Sequence, residues 1–205
     1  MNSLIMPNWC NNKLILSGSK PVITTLFEKI KKDGLLQTLH PMPDDEAVKK
    51  WHAERPFTEF ELQSAAAKNR EPQKGFGIPG EDVNEWCLEH WGTKWEVNDP
   101  DFHLEDDGTC IEGYFATAWS PPIEAYAHFL AQNGGCEIEA YYCEPDCQFA
   151  GVFVNGCDEE ICDEEFDAPP EKRGYLWQAI DDHMGLAGIY EWMHEDDDED
   201  EDDDE

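Results

Sequence analysis

Five cysteines lie close together in the last third of the 205-residue chain, where their thiolates could in principle bind a metal. They are Cys136, Cys143, Cys147, Cys157 and Cys162. C-x3-C and C-x4-C spacings occur among them, and four thiolates can hold zinc tetrahedrally. No C-x-x-C pair is present, and small thiols beside aromatic residues are typically buried in a core. We therefore expect no metal here, and a cysteine-ligated zinc-binding module is kept as the weaker alternative.

Two other patterns could also bind metal ions. Cys87 and His90 stand at i, i+3 in the string WCLEH, but a histidine between two tryptophans is typical of a core or an interface. The acidic turns at 105–108 and 157–167 lack the alternating Asp or Asn before a glycine that a calcium loop needs. Only weak divalent binding is expected from them.

Motifs of the common enzyme classes are absent from the sequence. There is no G-x-S-x-G, no Walker loop and no H-E-x-x-H, and KGFGIPG (74–80) lacks the Lys-Ser/Thr ending of a phosphate loop. Glu137 and Glu139 share one strand face, but carboxylate pairs arise by chance in a chain with 47 acidic residues. We predict that the protein is not an enzyme and needs no cofactor.

Charge is the most unusual property of the chain. It carries 47 acidic residues against 14 Lys and Arg, a net charge of −33, and residues 135–205 hold 26 of the acids but only 2 of the bases. Such a polyanion repels phosphate backbones and attracts cationic partners. The charge therefore argues against direct binding to DNA, RNA or an anionic membrane.

Three tryptophans within ten positions, Trp86, Trp91 and Trp95, could form a stacking surface for bases or could simply pack. Stacking surfaces for nucleic acid normally lie beside a positive groove, whereas the surrounding string EWCLEHWGTKWEV has Lys94 as its only base. Helical spacing of Val83, Trp86 and Trp91 favours core packing. We expect the indoles to face inward.

The chain has no sign of export or membrane insertion. No apolar stretch approaches the about 18 residues of a membrane span, and the N-terminal MNSLIMPNWC lacks the features of a signal peptide. The sequence therefore predicts a cytoplasmic protein, with its eight cysteines as thiols.

Hydrophobic periodicity and turn residues predict an alternation of strands and helices. Predicted strands cover 13–18, a segment starting at Trp95, 110–119, 136–143 and 149–154; predicted helices follow Ser19 to about Lys32, cover 81–91, and run from Ser120 to Gly134. Within CIEGYFATAW, Ile111, Phe115 and Trp119 are expected on one face of the strand. Residues from about 36 to 80 are interpreted as an insertion with short helices.

Without the insertion, the order is β-α-β-β-α-β plus one extra strand. This order predicts an α+β, ferredoxin-like (split βαβ) fold, with an antiparallel sheet and helices on one face. We assign residues 1–155 to this domain, 156–194 to an acidic loop and a docked C-terminal helix, and 195–205 to a disordered acidic tail.

Several strings in the chain resemble the YubB-type family of phage- and plasmid-borne proteins, which carry a ferredoxin-like domain. The strings are MPNWCNN (6–12), HPMPDDE (40–46), WCLEHWGTKWEV (86–97), FATAWSPPIEAYAHF (115–129) and EPDCQFAGVF (144–153). NWC, WGTKW and TAWSPP are the most specific of them. The resemblance spans roughly residues 6–155 and implies the fold and a mobile-element origin in a bacterial host, but it brings no catalytic residues. The acidic tail and the cysteines of CEPDC depart from the family pattern.

Two interpretations of the acidic surface remain open at this stage. In the first, the carboxylates only keep a small domain soluble. In the second, they occupy the basic groove of a host nucleic-acid-binding or defence protein in place of phosphates, as a DNA mimic does. The candidate contacts are Asp158, Glu159, Glu160, Asp163, Glu164, Glu165 and Asp167, with Glu195, Asp196, Asp197 and Asp198 in the tail.

Overall fold

The computed structural model describes residues 8–69, 71–74, 80–98 and 100–194, which form six strands and eight helices. The strands are β1 (Trp9–Ser17), β2 (Asp101–Leu104), β3 (Cys110–Ala118), β4 (Glu137–Glu144), β5 (Phe149–Val154) and β6 (Cys157–Cys162). The helices are α1 (Lys20–Asp33), α2 (Leu35–Leu39), α3 (Asp45–Glu54), α4 (Glu59–Ala67), α5 (Glu81–Trp91), α6 (Ile123–Gln132), α7 (Tyr175–Met184) and α8 (Leu186–His194). The predicted disordered tail, 195–205, lies outside the described residues.

All six strands belong to one antiparallel sheet in the order β2-β3-β1-β4-β5-β6. β1 is central, so Leu14 pairs with Gly113 of β3 on one side and with Ala140 of β4 on the other. The first four strands, together with α1 and α6, have the split βαβ connectivity. The predicted ferredoxin-like α+β fold is confirmed.

The main core lies between one face of this sheet and the helices α1 and α6. Leu14, Leu16 and Ile138 from the sheet are fully buried, as are Ile23 of α1 and Tyr126 of α6. Burying each aliphatic side chain of this size contributes about 1.5–3 kcal/mol. Alternate residues of the central strands thus form the base on which both helices pack.

The helices between α1 and β2 extend the same core. Buried side chains from this region are Leu35, Leu36, Leu39, Val48, Trp86, Cys87 and Trp91. Arg55, which follows α3, ties three helices together by hydrogen bonds to Glu61 of α4 and Glu85 of α5. Helices α2, α3 and α5 are therefore part of one hydrophobic unit with the sheet, and α4 is joined to them through Arg55.

A second, smaller core lies on the opposite face of the sheet. Trp177 and Ile180 of α7 pack against Tyr141 of β4, Ala150 of β5 and Ile161 of β6. The indole N–H of Trp177 donates to the backbone oxygen of Phe166 at 3.1 Å. The expected arrangement had helices on one face only; α7 adds a partial layer over the β4–β6 half of the other face.

Two strand boundaries differ from the prediction. The segment predicted as an acidic loop contains β6, because Asn155 and Gly156 both have positive φ (49° and 98°) and form a tight turn that returns the chain beside β5. The strand expected from Trp95 begins only at Asp101, because Glu96 is held by the backbone N–H groups of Leu36 and Gln37 at the start of α2. The sheet has two strands beyond the βαββαβ unit, where one was expected.

None of the helices that the structure describes is both long and apolar enough to cross a lipid bilayer.

Candidate functional site

The predicted acidic contacts lie on the edge strand β6 and the turn that follows it, which we call the acidic edge (157–167). Asp158, Glu159, Glu160, Asp163, Glu164 and Glu165 are exposed, and Asp167 is half-buried. The structure therefore brings these seven predicted residues into one continuous segment. Glu195, Asp196, Asp197 and Asp198 lie outside the described residues.

Side chains of β6 alternate between the two faces of the sheet. Asp158 and Glu160 lie on the side of Tyr142, whose hydroxyl donates to Oδ1 of Asp158 at 2.9 Å. Partial burial raises the pKa of both carboxyl groups, and the charge of Asp158 raises the pKa of Glu160 further. Gly151 lies beneath this cluster. Only glycine fits at this position, because a Cβ atom would clash with the Tyr142 hydroxyl.

On the other side, the acidic edge borders an open groove of about 640 Å³ at the start of α7. Its polar lining includes Glu159, Glu164, Glu165, Lys172 and Tyr175. Tyr175 is 90% exposed. None of the ion pairs among the described residues involves Glu159, Glu164 or Glu165. The groove thus combines unpaired carboxylates with an exposed aromatic ring. Both features favour binding of a cationic side chain.

The cysteines considered for zinc are spread over different environments. All eight cysteines are free thiols; Cys136 and Cys143 are buried, while Cys147, Cys157 and Cys162 are exposed. Burial raises the pKa of Cys143 to about 12, which disfavours the thiolate that a metal requires. Cys87 and His90, the other pair considered for a metal, are also engaged separately. Cys87 is buried in the core, and Nδ1 of His90 lies 3.0 Å from the Trp86 backbone oxygen.

Within the described residues, the cluster that could share a metal ion is His103, Glu105 and Glu112, with ligand atoms within 4.8 Å of one another. Its residues lie on the β2–β3 hairpin, and two of the three are exposed. Lys13 already neutralises Glu112 through an ion pair of 2.9 Å. This internal cation competes with a metal, so the cluster offers only weak divalent binding.

Lys13 belongs to a polar network that sequence analysis missed. Its ammonium, in a side chain only 12% exposed, contacts Glu112 and lies 3.3 Å from Nδ1 of His183 on α7. The His183 ring stacks on Tyr141 with 3.8 Å between centroids. The network joins β1, β3, β4 and α7. Lys13 and His183 are 170 positions apart in the chain, and a single sequence carries no signal that such distant residues are in contact.

The tryptophans divide into two groups. Trp86 and Trp91 are buried, as predicted. Trp9 and Trp119 are 43% and 40% exposed, and Trp95 is half-buried. The expectation that Trp86, Trp91 and Trp95 face inward therefore holds for the first two and only in part for Trp95. Trp119 was expected on the same strand face as Ile111 and Phe115. It does not continue that face, because its φ of +69° departs from extended backbone.

Trp9, Lys94, Trp95 and Trp119 meet where β1 begins and β3 ends; we call this cluster the tryptophan end. The Lys94 ammonium lies 5.1 Å from the centre of the Trp95 ring and 4.8 Å from that of Trp119. Trp9 meets Trp95 edge to face at 6.4 Å. These indoles come from NWC, WGTKW and TAWSPP, so the three most specific strings of the sequence converge here.

The backbone of Trp119 is strained. A bulky residue at positive φ is an outlier that costs on the order of 1–3 kcal/mol. The surrounding chain holds it: its N–H donates to the Asn8 oxygen at 3.0 Å, and the buried Thr93 hydroxyl donates to Ala118 at 3.0 Å. The Ser120 hydroxyl donates to Gly92. The loops that carry Lys94 and Trp119 are thus joined by buried hydrogen bonds.

Comparison with known proteins bears on the fold. No curated protein matches this sequence. The crystal structure of the protein Api92 from Yersinia pseudotuberculosis aligns with a TM-score of 0.42 and 10% sequence identity, covering 77% of this chain and 99% of that one. Residues 90–181 match the family model described as a ferredoxin-like domain in Api92-like protein. This segment, from the end of α5 into α7, is therefore similar to the ferredoxin-like domain of Api92-like proteins, in agreement with the predicted fold.

Proposed function

We propose that the protein is a non-enzymatic binding protein that blocks a basic, nucleic-acid-binding host protein by presenting carboxylates in place of phosphates. The observation that carries this proposal is the acidic groove beside the edge strand β6, where Glu159, Glu164 and Glu165 have no cationic partner among the described residues. Arg and Lys side chains that normally bind phosphate would pair with these carboxylates.

Two further features support a protein partner. The outer edge of β6 is unpaired within the sheet, and a free strand edge can accept a partner strand by backbone hydrogen bonding. Tyr175 adds an aromatic surface on which an Arg or Lys side chain can lie. A phage or plasmid origin, as the YubB-type resemblance implies, fits this role because mobile elements benefit from blocking host defence proteins.

The competing interpretation is that the carboxylates protect the edge strand. Charged side chains on edge strands prevent edge-to-edge aggregation. Under this interpretation the groove has no dedicated partner, and its carboxylates can be exchanged for neutral residues without loss of binding.

The test is capture of partners from bacterial lysate on immobilised full-length protein at about 0.05 M and 0.5 M NaCl. Since each exposed ion pair contributes about 0–1 kcal/mol, the complex must depend on several pairs and should dissociate at the higher salt. We expect a basic nucleic-acid-binding protein that duplex DNA displaces.

A charge-matched pair of variants makes the test specific. The groove variant replaces Glu159, Glu164 and Glu165 by Gln, and the control replaces Glu54, Glu89 and Glu124, which are exposed elsewhere. Loss of about 0.5 kcal/mol per pair predicts roughly 10-fold weaker binding by the groove variant. Equal capture by both variants, or no basic partner at low salt, refutes the proposal.

A further inference from the structure

The tryptophan end has no role in the function proposed for the acidic edge. It is built from β1, the loop after α5 and the residue after β3, whereas the acidic edge belongs to β6. Two of its three indoles are about 40% exposed. Neighbouring exposed aromatic side chains form the kind of contiguous apolar patch that marks an interaction surface.

Its geometry is set before any ligand arrives. Trp119 is kept at an unfavourable φ by hydrogen bonds to Asn8 and by the bonds that join the two loops. Strain of this kind persists where surrounding structure enforces it, and it concentrates at binding sites. An exposed indole held in a strained conformation contributes little to the core, so a contact outside the chain is the better explanation.

The ring faces already accept a cation. Lys94 places its ammonium within about 5 Å of both Trp95 and Trp119, the distance at which cation–π attraction operates. The net charge of −33 raises the local concentration of cationic groups. A nucleobase could stack on the same rings, but its phosphate chain would approach a strongly anionic molecule.

We propose that the tryptophan end binds an arginine side chain of the basic partner, with its guanidinium stacked on Trp9 and Trp119. This inference rests on the proposed function for the identity of the partner. Arginine fits better than lysine because its planar, weakly hydrated guanidinium stacks on aromatic faces. Lys94 acts as an internal competitor that the incoming guanidinium displaces from the Trp119 ring.

The probe is L-argininamide, titrated into uniformly ¹⁵N-labelled full-length protein while the indole N–H resonances are followed by NMR. The resonances of Trp9 and Trp119 should shift saturably, and that of buried Trp91 should not. L-citrullinamide, which keeps the α-ammonium and a planar side-chain end but lacks the guanidinium charge, should cause no saturable shift.

Two variants locate the effect. Trp119→Gly removes the indole at a position whose positive φ suits glycine, so the fold is retained, and affinity for argininamide should fall about 2- to 5-fold. Lys94→Ala removes the competitor and should raise affinity by about 2- to 5-fold. Trp9→Ala provides a second loss variant on a different element.

The outcomes separate this inference from the proposed function. If the lysate experiment captures no basic partner while argininamide still shifts Trp9 and Trp119, the proposed function fails and the cation site stands. Absence of saturable shifts in both the wild-type chain and Lys94→Ala overturns the cation site. Equal shifts with citrullinamide, or tighter binding of oligo(dT) at the same resonances, overturn it as well and indicate neutral stacking or nucleic acid.

When a partner is captured, its interaction with the tryptophan end is measured directly. Trp119→Gly should weaken capture about 2- to 5-fold, while the Glu159, Glu164 and Glu165 variant should leave argininamide binding unchanged. Undiminished capture by Trp119→Gly overturns the assignment of the arginine to the partner.

Discussion

At the scale of single residues, the carboxylates of the acidic edge are not equivalent. Asp158 and Glu160 share the Tyr142 side of β6 and have raised pKa values, because both are partly shielded from solvent and the charge of Asp158 also acts on Glu160. Glu164 and Glu165 lie in the open turn. A cationic partner would lower the free-energy cost of ionising Asp158 and Glu160. This favours binding of cations at the acidic edge.

Glu160→Gln should stabilise the protein at pH 7. The raised pKa means that the folded state binds the proton more tightly than the unfolded state, so stability falls as pH rises from about 4.5 through the folded-state pKa. Glutamine removes this cost at neutral pH, and the difference from wild type should vanish at pH 4 and below. Urea unfolding across pH 3.5–7.5 measures it.

The control for this prediction is Glu89→Gln, which removes one exposed negative charge from α5. Its effect on stability should be smaller and should follow only the change in net charge. A Glu160→Gln variant that is less stable than wild type at pH 7 would mean that the carboxylate makes a favourable contact that outweighs its burial.

Single residues also show how far sequence reasoning reaches. The burial of Trp86 and Trp91 followed from helical spacing, and the exposure of the β6 carboxylates followed from composition. The exposure of Trp119 did not, because strand alternation assumes extended backbone and one positive φ breaks it. The Lys13–His183 contact depends on tertiary packing that local patterns do not encode.

At the scale of elements, the strands and helices of the βαββαβ unit were predictable because hydrophobic periodicity and the residues that begin and end each element indicate the same limits. Pro21 in the first turn of α1 and Gly34 at its end, with φ +98°, illustrate this agreement. β6 was missed although Asn155-Gly156 is a strong hairpin signal, since its acidic, weakly alternating sequence suggested a loop. Pairing with β5 outweighs the low strand propensity of Asp and Glu.

The inserted helices depend on a buried ion-pair network. Both amino groups of Arg55 bond to Glu61, at 3.0 and 2.7 Å, and Arg55 also bonds to Glu85 at 2.7 Å. Arg55→Ala would leave the buried Glu61 without this cation, and loss of one partner of a buried pair typically costs about 3–5 kcal/mol. Urea unfolding should show a corresponding loss of stability.

A surface pair of the same region serves as the comparison. Lys49→Ala breaks the exposed ion pair with Glu46 on α3 and should change stability far less than Arg55→Ala, because solvent screens an exposed pair. If Arg55→Ala were as mild as Lys49→Ala, the α3–α4–α5 contacts would have to be maintained by apolar packing alone.

At the scale of the whole molecule, charge is distributed unevenly both along the sequence and across the sheet. The acidic residues concentrate after residue 135, and the described part of this region, 135–194, forms β4, the β5–β6 edge and the α7 layer. Within the described residues, the fold thus gathers acidic side chains at one side of the sheet, while the main core is formed by the preceding elements with β4 and Phe153 of β5. Binding to a basic partner and self-repulsion therefore arise from the same region.

This self-repulsion should make stability depend on salt. The screening length falls from about 30 Å at 0.01 M to about 8 Å at 0.15 M ionic strength, so the free energy of unfolding should rise with NaCl over this range. A chain that ends at residue 194 lacks eleven of the acidic residues and should show a smaller rise. Tetramethylammonium chloride at equal ionic strength should give the same curves, because the effect is screening. A rise seen only with Na⁺ would instead identify bound sodium. No rise with either salt would mean that repulsion in the folded state does not exceed repulsion in the unfolded chain.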